Sequence, residues 1–407
     1  MKKGKKIVLI VLGCLLLMAG TAIITTLFVS ARWQALWDAR CPEEKKAEEV
    51  AAYLDAYFID KYDDGELADA AAAAMVEATG DRWSFYLNAD EAEDYYNSMS
   101  NVYAGIGVTI TENAEKGGME IMEVVPGGPA DQAGVLVGDI VIEVEGQKTI
   151  DLGMDGTRNL VAGTIGTEVQ MVFLRGEETI PMTLKRAAIE TVVAECEMLE
   201  DDIGYITVAN FDERCADETI ACIEQMVAGG AKGLIFDVRF NPGGYEEELT
   251  KLLDYLLPEG EIFHTLDYAG EEERKYSDEN CLQLPMAVLV NEDSYSAAEF
   301  FAAALQEYDW ADVVGENTCG KGNFQVAMDL SDGSVMNISV GKYFTPQGKS
   351  LTDVGVTPDL PVEVTDEEYY QLYYDQLDKA DDTQLNAAID AVRRKCQVNN
   401  AKKVKLF

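Results

Sequence analysis

Between residues 203 and 315, short apolar, β-branched runs alternate with helical patterns, and this alternation constrains the fold more than any other feature of the 407-residue chain. Residues 204–208, 233–238, 286–290 and 313–315 read as strands, and 217–228, 246–257 and 297–307 as helices. Such a repeated strand–helix order argues for an α/β layer with largely parallel strands. Two more strands follow at 324–328 and 335–340, and 367–392 reads as a strongly acidic helix ahead of a basic tail at 393–405.

The chain before residue 203 has a different texture. Glycine turns separate strand-like runs at 105–110, 119–125, 140–144, 169–174 and 180–184, which implies a small β-rich module of about 85 residues. Ahead of it, 44–62 places Val50, Tyr53, Leu54, Tyr57 and Phe58 on one helical face, and 67–78 is alanine-rich; a polar and aromatic stretch, Asp81-Arg82-Trp83-Ser84-Phe85-Tyr86, interrupts this helical lead-in. At the start, Lys2, Lys3, Lys5 and Lys6 precede an uncharged run of 23 residues, 7–29. That length spans a bilayer and exceeds the roughly 7–15 apolar residues of a cleaved signal, so it reads as a retained anchor with the lysines inside and the rest outside. Val29-Ser30-Ala31 offers a small-residue cleavage site, and secretion after cleavage is the alternative.

Charge decides what the surface is not. With 74 acidic against 32 basic residues, net −42, a broad basic surface for nucleic acid is excluded, and anionic lipid heads are repelled unless one segment anchors the chain. Eight cysteines include no CxxC pair, and there is one histidine, so neither a metal nor a cofactor is expected. Cys215 and Cys222 are the nearest cysteine pair in sequence, but spacing alone assigns no disulfide.

Three motifs sit in the β module: Tyr103-Ala104-Gly105-Ile106-Gly107-Val108, Val125-Pro126-Gly127-Gly128-Pro129-Ala130 and Gly134-Val135-Leu136-Val137-Gly138-Asp139. Gly105 and Gly107 allow a loop of convergent N–H groups that runs into a strand with an open edge, a geometry able to hold a peptide's terminal carboxylate. In this order the motifs resemble a PDZ domain over about residues 99–187. The α/β part holds Arg239-Phe240-Asn241-Pro242-Gly243-Gly244, then Ser294-Tyr295-Ser296-Ala297-Ala298-Glu299 at a strand-to-helix junction, then Gly320-Lys321-Gly322-Asn323-Phe324-Gln325. A serine at such a junction lies beside helix N-terminal N–H groups that stabilise negative charge, although Ser294 or Ser296 could equally just cap the helix. Lys321, between glycines, is free to approach another loop, and Gln325 four positions on returns to its side in helix or strand. His264, the one histidine, has no companion motif.

This succession, ending in Tyr343-Phe344-Thr345-Pro346-Gln347-Gly348 and Gly355-Val356-Thr357-Pro358-Asp359, resembles the carboxyl-terminal processing peptidases, the tail-specific serine proteases of peptidase family S41, over roughly residues 45–395. The resemblance implies an α/β, multidomain (α+β) chain: cytoplasmic segment 1–6, transmembrane anchor 7–29, helical lead-in 30–98, PDZ domain 99–187, a ClpP/crotonase-like protease core 188–365, and a helical C-terminal segment with basic tail, 366–407. It implies Ser296 as nucleophile, Lys321 as general base, Gln325 as the residue orienting the lysine, and an oxyanion hole from backbone N–H groups of Gly243 or Gly244 and of Ala297. Gly105, Ile106, Gly107 and Val108 would take the tail of a protein substrate with an apolar C-terminus. The expected enzyme is a membrane-tethered, extracytoplasmic endopeptidase, with two helical ends that allow a homodimer. Phe240, Tyr295, Ala298 and Cys319 stand where the family commonly has an asparagine, a small residue, a serine and an aromatic, which bears on specificity more than on chemistry. The rivals are a non-catalytic PDZ scaffold, opposed by the intact Ser296, Lys321 and Gln325, and a hydrolase built on His264.

Overall fold

The computed structural model describes residues 42–374 and 376–404. The anchor expected at 7–29 and the lysines before it lie outside the described residues, and among those described no helix is long and apolar enough to cross a membrane. Two units are distinguished, up to Thr79 and from Gly80 onward.

In the first unit, helices Pro42–Tyr57 and Asp64–Glu77 replace the expected 44–62 and 67–78. The second starts early because Asp63 takes an extended conformation (φ −93°, ψ 129°) and its carboxylate caps that helix, accepting from the N–H groups of Gly65 and Glu66.

The second unit begins with the stretch that interrupted the helical pattern. Phe85–Leu87 is a strand that pairs with Val335–Phe344 in a sheet also containing Gly260–Asp267, Glu272–Ser277 and Asn323–Asp329. The strands within 260–277 were not anticipated, because their charged, half-exposed sequence lacks clear alternation. After the helix Ala89–Met99 comes the β module. Its sheet runs in the order Val108–Asn113, Gly118–Val124, Ile140–Val144, Glu168–Arg175, Glu178–Lys185 around a core of Ile106, Met119, Ile121, Val141, Phe173 and Leu184. Val108–Asn113 lies at the sheet's edge, with the helix Thr149–Val161 beside it. That helix was also unanticipated. It contains two glycines, and Gly153 (φ 71°) breaks it into two stretches.

The α/β layer is a six-stranded sheet in the order Ala194–Leu199, Ile203–Val208, Gly233–Asp237, Met286–Val290, Ala311–Gly315, Leu360–Pro361. The first pair is antiparallel and the others parallel. Its central strands are buried on both faces: Phe236, Val288 and Val290 pack with the helix Ala297–Glu307, and Ile235, Ala287 and Leu289 with Leu385, Ala388 and Val392 of the C-terminal helix. This double burial is why these strands read as unbroken apolar runs.

The acidic helix expected at 367–392 is two helices, Asp366–Tyr373 and Thr383–Val404. The break is made by Asp382, which accepts from Leu385 N–H at 2.9 Å and meets the buried guanidinium of Arg239 at 2.8 Å. Cys215 and Cys222 lie in one helix, Cys215–Ala228, two turns and so about 10 Å apart, beyond disulfide reach. The neighbour of Cys222 is instead Cys196; burial first, and then Cys196, push the Cys222 thiol up to about 12.

Candidate active site

Parallel pairing assembles the site. Gly233–Asp237, Met286–Val290 and Ala311–Gly315 are adjacent and run the same way, so the loops after them emerge at one edge of the sheet, where α/β folds place their ligand sites. The R-x-N-P-G-G, S-x-S-A-x-E and G-K-G segments are those loops.

The two serines at the second junction have different surroundings. Ser294 is wholly buried, its hydroxyl donating to Val238 O at 2.7 Å and accepting from Asn291 N–H at 3.0 Å, so it braces the turn against the first loop. Ser296 takes φ 59°, ψ −123°, a conformation unfavourable for any residue but glycine, immediately before the helix Ala297–Glu307. Strain of this kind is characteristic of a nucleophile raised on a strand-to-helix elbow.

Gly243 packs directly on this elbow. A Cβ there would lie 2.7 Å from Ser296 Cβ and 2.9 Å from Ala297 N, so only glycine admits the approach. Its N–H donates to Asn241 Oδ1 at 2.9 Å. Among the described residues the N–H groups of Gly244 and Ala297 have no internal partner. Of the two glycines left open by the sequence, Gly244 therefore has the free donor and Gly243 the closest approach.

Sequence reasoning assigned no role to Glu299, yet its carboxylate joins the serine and lysine loops. Wholly buried, it accepts from Thr318 Oγ1 (2.6 Å) and Gly320 N–H (2.7 Å) on Oε1, and from Lys321 N–H (2.8 Å) and Ser296 N–H (2.9 Å) on Oε2. Burial pushes its pKa up, while these four donors favour the anion. The glutamate in S-x-S-A-x-E was visible in the sequence, but nothing there tied it to the lysine loop.

Lys321 presents its ammonium to aromatic faces, 4.8 Å from the ring centre of Trp83 and 5.7 Å from that of Tyr295, and the two rings lie 5.7 Å apart. Burial holds its pKa below the ordinary lysine value, against the opposing pull of Glu299, Cys319 and Asp81. Trp83 supplies much of this apolar cover, and its signal in the sequence was the aromatic interruption at 81–86. Phe324, just beyond the lysine loop, packs at a tilt on Tyr343, ring centres 5.2 Å apart.

Gln325 does not hold the lysine amine here. Its amide donates to Asn323 O (3.2 Å) and Ser339 Oγ (3.0 Å), because Lys321 precedes the strand Asn323–Asp329 and a bulge at Phe324/Gln325 resets the register. Ser339 N–H in turn bonds Ser84 Oγ (3.0 Å), and Ser84 donates to Asp81 Oδ2 (2.6 Å). Burial opposes the Asp81 charge, but hydrogen bonds from Ser339, Ser84 and Trp83 N–H, with Lys321 nearby, keep its pKa below the usual carboxylate value. Gln325 thus reaches Lys321 only through this polar chain. His264 stacks on Phe344 at 5.0 Å and pairs with Glu261 at 2.7 Å, none of them part of the serine–lysine cluster.

In the β module the carbonyls of Ile106 and Gly107 accept from Ala130 N–H (2.9 Å) and Val125 N–H (3.0 Å). The loop lines a groove of about 840 Å³ whose walls include Val108, Ile110, Val141, Val161 and Met171.

An elbow serine, a desolvated lysine and a glycine loop at the open edge of an α/β sheet define a serine-type peptidase. Residues 202–362 match the model of peptidase family S41 and 120–175 that of a PDZ domain. The carboxy-terminal processing protease CtpA of Bacillus subtilis is 30% identical over 402 residues, covering 96% of this chain and 84% of that one. A CtpA-like serine protease of Staphylococcus haemolyticus is 28% identical, covering 88% and 73%. A solved Bacteroides fragilis protein assigned to the S41 proteases shares the fold, with a TM-score of 0.53 at 17% identity, over 80% of this chain and 90% of that one. The chain belongs to peptidase family S41, among the carboxy-terminal processing proteases with a PDZ domain.

Proposed function

We propose that the chain cleaves proteins presented by their C-terminal tails through a Ser296–Lys321 mechanism. The observation that carries this reading is the shared Glu299 carboxylate, which binds the backbone N–H groups of both residues and so holds nucleophile and base loops in one frame. Ser296 Oγ attacks the scissile carbonyl carbon and its proton passes to Lys321 Nζ. The oxyanion is held by Ala297 N–H and an N–H of Gly243 or Gly244, and Gly243 becomes available once it leaves Asn241. The Lys321 ammonium then gives its proton to the leaving amine, and the free amine accepts one from the water that hydrolyses the ester.

The 105–108 loop supports the selection of substrates. Its N–H groups take the tail carboxylate, the edge strand Val108–Asn113 pairs with the tail backbone, and the apolar walls favour apolar tail residues. We place the catalytic part outside the membrane, tethered by 7–29, on the length of that run and the lysines before it. The protein should then stay with membranes through carbonate extraction; a mature N-terminus near Arg32 would instead show release.

The decisive experiment incubates the full chain, and separately its Ser296→Ala variant, with a denatured protein ending in apolar residues. The wild type should yield fragments and the variant none. Equal inertness of both across a panel of tails would favour the scaffold reading.

A further inference from the structure

Beside Ser296 lies a second recess, of about 460 Å³, lined by Phe240, Tyr295, Tyr369, Tyr370, Tyr373 and Tyr374, with Asp293 as a lining carboxylate. Phe240 sits at φ 59°, a conformation costly for a bulky residue, and is held there by its N–H bond to Asn291 Oδ1 at 2.9 Å. Its ring meets those of Tyr369 (5.2 Å, 70°) and Tyr373 (5.5 Å, 76°) nearly edge-on. The Tyr369 hydroxyl donates to Asp293 Oδ2, and among the described residues Asp293 Oδ1 has no partner. Tyr373 and Tyr374 are 58% and 62% exposed, an unusual amount of aromatic surface to leave in water beside a catalytic serine.

Resting on the peptidase reading above, we propose that this recess is a substrate subsite for a lysine or arginine side chain next to the scissile bond. Aromatic faces carry negative quadrupole density and attract a cation placed over them, while the side chain's methylene stem packs on the same rings. The lining contains a carboxylate and no basic group, and Lys321, whose Nζ lies 5.7 Å from the centre of the Tyr295 ring, has its charge disfavoured by burial, so a cationic occupant is complementary to the recess. Position also fits. Tyr295 adjoins Ser296, and Phe240 adjoins the Asn241–Gly244 loop, so a peptide with its carbonyl at Ser296 passes a neighbouring side chain over the recess.

The test has two arms. In the first, the full chain digests a denatured protein with an apolar C-terminus and the cut bonds are mapped by mass spectrometry. Lysine and arginine should be enriched about five- to tenfold at one position within two residues of the cut, an enrichment that Asp293→Asn and Tyr373→Ala each remove. Background frequencies of basic residues, enrichment of apolar or aromatic residues instead, or enrichment that survives both variants would overturn the subsite while leaving proteolysis standing. In the second arm, which needs no cleavage, the Ser296→Ala chain binds otherwise identical peptides carrying lysine or norleucine. A several-fold preference for lysine supports the subsite even if the peptidase reading fails, and equal affinity overturns it.

Discussion

In the groove of the β module, the proposed backbone contacts to a tail come from one continuous loop, 105–108, and the strand that follows it, whereas the serine–lysine site draws on 81–84, 240–244, 291–299 and 318–325. In the proposed function the groove works with backbone N–H groups, whose dipoles are the same at every pH. The site there works with a lysine that must be stripped of its proton, and that depends on parts far away in sequence: Trp83 to shed water, Glu299 to hold the loop, and Asp81 and Glu299 as carboxylates whose charge opposes the deprotonation. Damage to the groove should therefore be graded. Damage to the site should be steep.

The largest expected effect is at Lys321. Lys321→Ala and Lys321→Arg should each lower cleavage at least about 10³-fold, the arginine because a guanidinium does not act as a base near neutral pH, while tail-peptide affinity in the groove stays as it was. A cleaving Lys321→Ala protein that is folded would break the contrast outright, above all if His264→Ala were dead.

Glu299→Gln is next. It turns an amide NH₂ toward two N–H donors inside a buried pocket, so kcat should fall about 10²-fold and thermal melting should show a loss of about 2 kcal/mol. Unchanged melting with unchanged kcat would mean that the shared carboxylate is not what holds the two loops.

Trp83→Ala sharpens the electrostatic half of the contrast. In the proposed mechanism Lys321 reacts as the free base, so activity should rise with pH through its pKa, which burial lowers. Removing the ring readmits water, leaves the Glu299 and Asp81 charges to raise the pKa, and should move the rising, acid-side limb of the kcat/KM profile to higher pH, with a roughly tenfold loss at neutral pH. A limb that stays put, or moves down, would show that the tryptophan does not shield the amine.

The smallest effect belongs to the groove. Amidating the C-terminus of a bound tail removes one charge and leaves strand pairing intact, so affinity should weaken about fivefold, equally at pH 6 and pH 9. Indistinguishable acid and amide would move recognition away from 105–108.

Much of this could be read from the chain alone, and the readable parts share a physical character. The core strands from 203 to 315 are buried on both faces, so their apolar runs cannot be mistaken, and the glycine loop of the β module carries its function in consecutive residues. Ser296 and the two glycines occupy turns that few residue types tolerate, and Lys321 stands between two glycines, so their motifs stand out in the chain. Less legible were elements whose identity is set by partners: the strand Phe85–Leu87 exists because Val335–Phe344 offers an edge, and the acidic C-terminal helix is broken because Asp382 is drawn to Arg239.

The sequence by itself determined the α/β layer, the glycine-turned β module and the excess of acid, since local backbone preference, periodicity and composition suffice for these, while the assignment of Ser296 and Lys321 as nucleophile and base came from the resemblance carried by the order of the motifs. Only the tertiary structure decided what surrounds them. It chose Trp83 as the cover over Lys321, gave the Gln325 amide to Ser339 in place of the amine, set Glu299 as the bond between two loops, and gathered Phe240 with the tyrosines of Asp366–Tyr373. Burial, and the hydrogen bonds and pKa shifts that follow from it, belong to pairs of residues far apart in the chain, and no local pattern encodes which pair will meet.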